Sequence, residues 1–293
     1  MSRTYRVGMV GVGLMGHGIA LSLLRAGHDL CFLDHPGNQP VDDLLGTGAV
    51  RKLTAREVAE ASEVVILCVT GTPQVESVLF DAGGVLDGLR PGTVIVDCST
   101  AIPRSTEATA ERVAAVGGRF MDAAMTRTPK EAAEGRLNLI VGASDELFRD
   151  VRPLLESFSE HITHGGPVGS GHKLKLLHNY VSLGFTAVLS EATAAARKAG
   201  IADDVFLEVL GNGGGGGVVL ERLRPFIVAE DPSGFRFSLA NTLKDVGYYN
   251  AMATDVGASH HVAEIIEALY REVNDQGHGE RLVPELIQLL EAR

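Results

Sequence analysis

Three stretches of the sequence carry residues whose types and spacing can do chemistry. The first, Gly11-Val-Gly13-Leu-Met-Gly16, is a G-x-G-x-x-G that follows one apolar run and opens a helical stretch closed by Ala26-Gly27. In that context the first glycine makes a tight turn and the second lets backbone approach a pyrophosphate. The third lets helix and strand pack closely, and phosphate sits on the helix N-terminus. A second apolar run ends in Asp34, 18 residues after Gly16. A carboxylate there accepts hydrogen bonds from ribose hydroxyls and repels a 2′-phosphate, which points to NAD, with NADP less favoured. His35, next in sequence, partly offsets the acid. The second stretch holds Lys175 and Asn179. At i and i+4 they share one helix face, so an ammonium and an amide converge on one small ligand. Lys173, two residues from Lys175, falls on another face. A cationic lysine donates a proton at neutral pH, and desolvation lowers its pKa enough for it to act as a base. The third stretch is Ser99-Thr100, shortly before Ile102-Pro103. Proline suits a first helical turn, and hydroxyls with free N–H groups at a helix start make either an anion site or a plain helix cap.

These residues need elements to hold them. Short apolar runs at residues 6–10, 30–34, 64–70, 93–98, 119–125, 137–142 and 161–164 alternate with helical stretches at 14–25, 73–80, 104–116 and 144–158. That alternation predicts a doubly wound α/β domain with a parallel sheet covered on both faces, over residues 1–165. From Gly171 no β-rich run recurs. Residues 172–200 read as one long helix ending at Gly200 behind Arg197 and Lys198. Its apolar surface is broad enough to run between two domains. Further helices are expected at 202–210, 217–229, 238–256, 259–274 and 283–292, so residues 166–293 form an all-α domain.

Composition limits the partners. With 26 Lys and Arg against 37 Asp and Glu, the formal charge is −11, which argues against nucleic acid and anionic membrane. No stretch approaches the ~18 unbroken apolar residues of a membrane span. Cys31, Cys68 and Cys98 stand in apolar runs with no C-x-x-C pair, as buried thiols in a reducing compartment do, so a cytoplasmic location is expected. No histidine and carboxylate spacing matches a metal site, so no metal is expected. The chain has 35 glycines, and the run Gly211–Gly217 lacks the Lys-Ser/Thr of a P-loop, reading as a flexible interhelical loop.

Five ordered blocks, residues 8–28, 94–103, 120–143, 169–179 and 239–247, resemble the β-hydroxyacid dehydrogenase family, that of the 3-hydroxyisobutyrate dehydrogenase-like enzymes. The resemblance implies an N-terminal Rossmann domain, a linking helix and a helical C-terminal domain. It implies an NAD-dependent oxidoreductase that interconverts a small hydroxy compound, bearing a carboxylate or sulfonate, with its aldehyde. Lys175 would then be the acid/base and Asn179 its positioning partner. Ser99 and Thr100 would meet the substrate anion, and Lys244-Asp245 would close over substrate and cofactor. The cofactor set would comprise Gly11, Gly13, Leu14, Met15, Gly16, Asp34, Val69, Thr72, Thr100 and Lys244. Most members have a Ser-Gly-Gly step where this chain has Met125-Thr-Arg127-Thr128-Pro129, and the Arg127-Thr128 pair looks most like the sulfolactaldehyde reductase branch. A guanidinium there can hold a sulfonate, a phosphonate or a second carboxylate, or pair with Glu131 or Glu134. Relatives pack as homodimers or homotetramers. Two other readings fit the same scaffold: a non-catalytic dinucleotide-binding module, and an imine reductase, whose members commonly replace the lysine.

Overall fold

The computed structural model describes residues 3–292. In chain order its first half runs β1 (Arg6–Val10), α1 (Leu14–Arg25), β2 (Asp29–Leu33), α2 (Asp42–Gly46), β3 (Val50–Lys52), α3 (Ala55–Ala61), β4 (Val64–Leu67), α4 (Thr72–Phe80) and α5 (Val85–Gly88). It continues through β5 (Val94–Asp97), α6 (Pro103–Ala115), β6 (Arg119–Thr126), α7 (Pro129–Glu134), β7 (Leu137–Gly142), α8 (Asp145–Leu155) and β8 (Ser159–Gly166). The strands form one sheet in the order β3-β2-β1-β4-β5-β6-β7-β8. The chain winds outward from β1 through β2 to β3, then crosses back to β4 on the other side of β1. That reversal creates a crevice at the carboxyl ends of β1 and β4, where open α/β sheets bind ligands.

Alternate residues of the central strands feed two cores, one on each face of the sheet. Val64 and Ile66 join Val7, Met9 and Val96 on one face, while Val65 and Leu67 join Val10 and Ile95 on the other. Double burial is why these strands read as unbroken apolar runs.

The structure differs from the sequence expectations at the sheet's margins. Strand β3 is three residues long, and its Arg51 and Lys52 hide it from any apolar pattern. Strand β8 begins two residues before the expected run and alternates polar exposed positions, as an edge strand does. All pairs are parallel except β6 and β7, which are antiparallel. Only ten residues separate Thr126 from Leu137, and α7 takes six of them. A parallel return needs a crossover of about a dozen residues or more. Helices α2, α3, α5 and α7 have four to seven residues, too short to show a helical period in sequence.

The second half is helical: α9 (Ser170–Lys198), α10 (Asp203–Gly211), α11 (Val218–Ala229), α12 (Leu239–Asp255), α13 (His261–Val273) and α14 (Leu286–Glu291). Helix α9 starts two residues before the expected His172. Its last helical residue is Lys198, two before the expected end, and Gly200 closes it with a positive φ of 74°, its N–H reaching the Arg197 carbonyl while Ile201 N–H reaches that of Ala196. The chain divides into two compact units, one through Lys175 and one from Leu176, so the continuous helix α9 contributes to both. The second unit has its own core of Leu183, Leu239, Val246, Tyr270, Val283 and Leu286. Among the described residues no helix is long and apolar enough to cross a membrane.

Gly16 marks the tightest point of the first unit, because a Cβ there would lie 2.0 Å from the Gly11 carbonyl oxygen. Gly16→Ala is expected to destabilise the fold by about 1–3 kcal/mol through overpacking. A urea midpoint equal to that of the parent protein would contradict this.

Candidate active site

The glycine loop between β1 and α1 shows which of its glycines serve packing and which serve a ligand. Gly11 has φ +95°, and a Cβ on it would meet the Cys68 carbonyl oxygen at 2.3 Å, so it is required by the turn and by the neighbouring strand end. Gly16 is required by Gly11. At Gly13 a Cβ would meet only Gly37 O, at 4.0 Å. The missing side chain therefore leaves bare backbone facing open space, as the close approach of a pyrophosphate demands. Helix geometry leaves the amides of Leu14, Met15 and Gly16 without intrahelical acceptors, and the first turn of α1 carries no acidic residue. These features fit a dinucleotide. Asn38 fixes the loop from outside: its Nδ2 donates to Leu33 O at 2.9 Å and its Oδ1 accepts Val12 N–H at 3.3 Å. Asn38 carries no signal in the sequence beyond its turn-forming type. Asp34 lies one residue past β2, half-exposed, with Arg51 Nη1 3.5 Å from its Oδ2.

At the carboxyl ends of β4 and β5 two loops are stitched together. Ser99 is buried, and its hydroxyl oxygen accepts Val69 N–H at 3.1 Å. Thr72, also buried, accepts Ile102 N–H at 2.8 Å just ahead of α6. Ser99, Val69 and Thr72 thus form one framework, with Thr100 half-buried on it. Beneath it Asp97 accepts Ser99 N–H at 2.9 Å. Burial pushes the Asp97 carboxyl above its ordinary range, partly offset by His172 and by the Ser99 hydrogen bonds.

Fully buried Asp122 on β6 anchors the start of α9. Its Oδ1 accepts Gly169 N–H and its Oδ2 accepts His172 N–H, both at 2.7 Å. Room for it comes from Gly171, where a Cβ would stand 2.7 Å from Oδ2. The His172 ring is buried as well. Its Nε2 lies 3.1 Å from Ser99 O, which can only accept, so Nε2 carries the hydrogen. Its Nδ1 is 2.7 Å from the Thr106 hydroxyl. Strand β6, the Ser99 loop and α6 are thereby all tied to the first turn of α9, and Lys175 stands one turn further on. Asp122 and His172 carried no motif in the sequence, because their partners are backbone groups brought by other elements.

In the second unit Asn179 is buried, and its Nδ2 donates to Asp245 Oδ2 at 2.6 Å. Its Oδ1 lies 2.9 Å from His178 Nδ1. Lys244 Nζ is 2.8 Å from Asp245 Oδ1 and 5.2 Å from the Tyr248 ring. Asp245 therefore joins Asn179 of α9 to Lys244 of α12.

Arg127 follows β6 with φ +81°, unusual for a residue with a side chain. Its guanidinium pairs with Glu160 on β8 and donates to Arg136 O, rather than pairing with Glu131 or Glu134. Glu160 is held below the ordinary carboxylate range by that guanidinium. Glu131 instead closes a capping box with Thr128 at the start of α7. Ser22 Oγ donates to Ala132 O at 3.0 Å, and Arg25 donates to Ala133 O, fastening α7 to α1. Among the described residues no group of three or more His, Cys, Asp or Glu side chains is placed to hold a metal ion.

Two outcomes follow from the buried carboxylates. Asp122→Asn puts an amide NH₂ against a backbone N–H and is expected to cost about 1–3 kcal/mol, read from a urea titration; an unmoved midpoint would refute the anchoring role. Asp97 holds its proton to higher pH when folded than when unfolded, so its contribution is present at low pH and lost as pH rises through the elevated pKa. Asp97→Asn is expected to gain stability over the parent as pH rises from the ordinary aspartate range toward the elevated pKa of the buried carboxyl, and a parallel pair of pH profiles would count against it.

The model described as the NAD binding domain of 6-phosphogluconate dehydrogenase matches residues 6–166, and that described as NAD-binding of NADP-dependent 3-hydroxyisobutyrate dehydrogenase matches residues 169–290. The chain is 39% identical over 196 residues to 2-hydroxy-3-oxopropionate reductase of Escherichia coli K12, covering 67% of this chain and 66% of that protein. It is 30% identical to the NAD-dependent L-serine dehydrogenase of Pseudomonas aeruginosa, over 94% of each. A crystal structure of 3-hydroxyisobutyrate dehydrogenase from Salmonella typhimurium superposes with a TM-score of 0.84 at 26% identity, over 97% of this chain and 99% of that one. With NAD(P)-binding domain models matching from residue 6 to residue 290, the chain belongs to the β-hydroxyacid dehydrogenase family of NAD(P)-dependent oxidoreductases.

Proposed function

We propose that the chain interconverts a short hydroxy compound bearing one carboxylate or sulfonate with the corresponding aldehyde, with NAD(H) as the preferred cofactor. The observation that carries this reading is the anchored start of α9, which fixes Lys175 one turn beyond a network that also holds the Ser99 loop. When bound, the nicotinamide supplies or accepts the hydride. In the reducing direction Lys175 donates its proton to the carbonyl oxygen as that oxygen gains charge, and in the oxidising direction it takes the proton back. Asn179, oriented by Asp245, positions the oxygen being protonated, and Lys244 contributes a cation beside it. Thr100 and the amides at the start of α6 receive the anionic head group, with Ser99 shaping their loop. Arg127 and Thr128 flank the head group, which Arg127 reaches by exchanging Glu160 for it. Asp34 favours NAD through the ribose hydroxyls.

The same reading includes a homodimer or homotetramer in the cytoplasm. Support for association comes from α9, where Leu177, Val181 and Val188 are 44%, 67% and 59% exposed. Large apolar side chains repeated along one helix are a self-association surface.

Lys175→Ala is expected to bind NADH as the parent protein does while kcat falls by about 10²-fold or more with small anionic aldehydes. Monitoring NADH absorbance separates the outcomes: near-parental turnover overturns the role of Lys175, and no turnover by the parent with any such aldehyde favours a non-catalytic nucleotide-binding module.

A further inference from the structure

We propose that His178 is a positioning residue of the reaction, its imidazole Nδ1–H holding the Asn179 amide so that Asn179 meets the reacting oxygen as a donor only. This rests on the proposed function, which gives Asn179 that oxygen, and goes beyond it. The orientation of the amide follows from its neighbours. As the partner of the Lys244 ammonium, 2.8 Å away, Asp245 is a carboxylate, which can only accept hydrogen bonds. At 2.6 Å from its Oδ2, Asn179 must therefore present Nδ2, since an amide oxygen there would set two acceptors against each other. That leaves Asn179 Oδ1 toward His178 Nδ1, at 2.9 Å. An amide oxygen cannot donate, so Nδ1 carries the hydrogen, and in the neutral ring Nε2 does not.

Two hydrogen bonds fix a planar group that one alone would let turn, because the torsion of a terminal amide is broad. Asn179 belongs to α9 and Asp245 to α12. The spacing of these helices is set beside the pair by the stacked rings of Tyr180 and Tyr249, whose centroids are 4.1 Å apart and whose planes are 13° from parallel. With the helices so held, rotation of the Asn179 amide is the freedom that remains, and His178 removes it. The consequence is chemical as well as geometric. With Oδ1 taken by His178 and one Nδ2 hydrogen by Asp245, the other Nδ2 hydrogen is what Asn179 offers a ligand. A donor stabilises an oxygen that gains negative charge as hydride reaches its carbon, whereas an acceptor would hold the hydroxyl of the alcohol instead. His178 itself is exposed on α9 and acts through Asn179.

The test combines steady-state kinetics with NMR on the full chain. His178→Ala is expected to lower kcat with small anionic aldehydes by about tenfold, leaving KM within about twofold and NADH binding as in the parent. His178→Asn, whose Nδ2 can stand where Nδ1 stood, is expected to restore most of that loss. Independently of turnover, histidine carrying ¹⁵N at Nδ1 alone reports the state of the ring. At a pH where the imidazole is neutral, the resonance lost in His178→Asn is expected to be that of a protonated nitrogen. A parental kcat in His178→Ala, a His178→Asn as slow as His178→Ala, or an unprotonated Nδ1 each overturns the proposal. A parent that turns over no small anionic aldehyde while Nδ1 is protonated overturns the function proposed above, and the positioning role with it.

Discussion

The carboxylate of Asp122 accepts two backbone N–H groups at the start of α9, and the position of Lys175, one turn on, follows from it. A helix start leaves its first amides without partners, and burial makes each unpaired amide costly. Here both donors are met by a fully buried strand residue, not by a capping side chain of the helix itself. The helix is therefore registered against the sheet instead of against its own preceding loop. His172 adds a second tie through the Ser99 carbonyl and the Thr106 hydroxyl. Since Lys175 lies three residues beyond His172, its height above the sheet is set by strand geometry, which is stiff, and not by loop geometry, which is not.

The charges follow a related pattern. The chain is acidic overall at −11, yet the cations of interest stand beside carboxylates: Arg51 with Asp34, Arg127 with Glu160, and Lys244 with Asp245. An anion entering such places exchanges one negative partner for another. Affinity is then governed by how well the newcomer fits the donors, and less by net attraction, which salt screens. Asp34 and Arg51 are exposed, so their pair is weak and screened by salt. Asp245 is buried and also bound to Asn179, so its pair is a fixed part of the scaffold.

Much of the architecture was legible in the sequence because double burial writes itself as unbroken apolar runs. Strands β1, β4, β5 and β7 and the long helix α9 fall close to their expected places for that reason. What stayed hidden were elements whose stability comes from their neighbours. Strand β3 reads Val-Arg-Lys and exists because β2 offers it a ladder, while α7 is six residues fastened by Ser22 and Arg25 of α1. The antiparallel β6–β7 pair was hidden as well, since apolar runs do not state strand direction.

The sequence by itself determined the alternation of doubly buried strands with helices along the first half of the chain, the glycine turn ahead of α1 and the one-face spacing of Lys175 and Asn179. All of these depend on residues within a few positions of one another. Only the tertiary structure decided that Asp122 and His172 start α9, that Arg127 pairs across the sheet with Glu160, and that Arg51 faces Asp34. Those contacts join residues 50, 33 and 17 positions apart, and their partners are chosen by strand order and register, which no local pattern encodes.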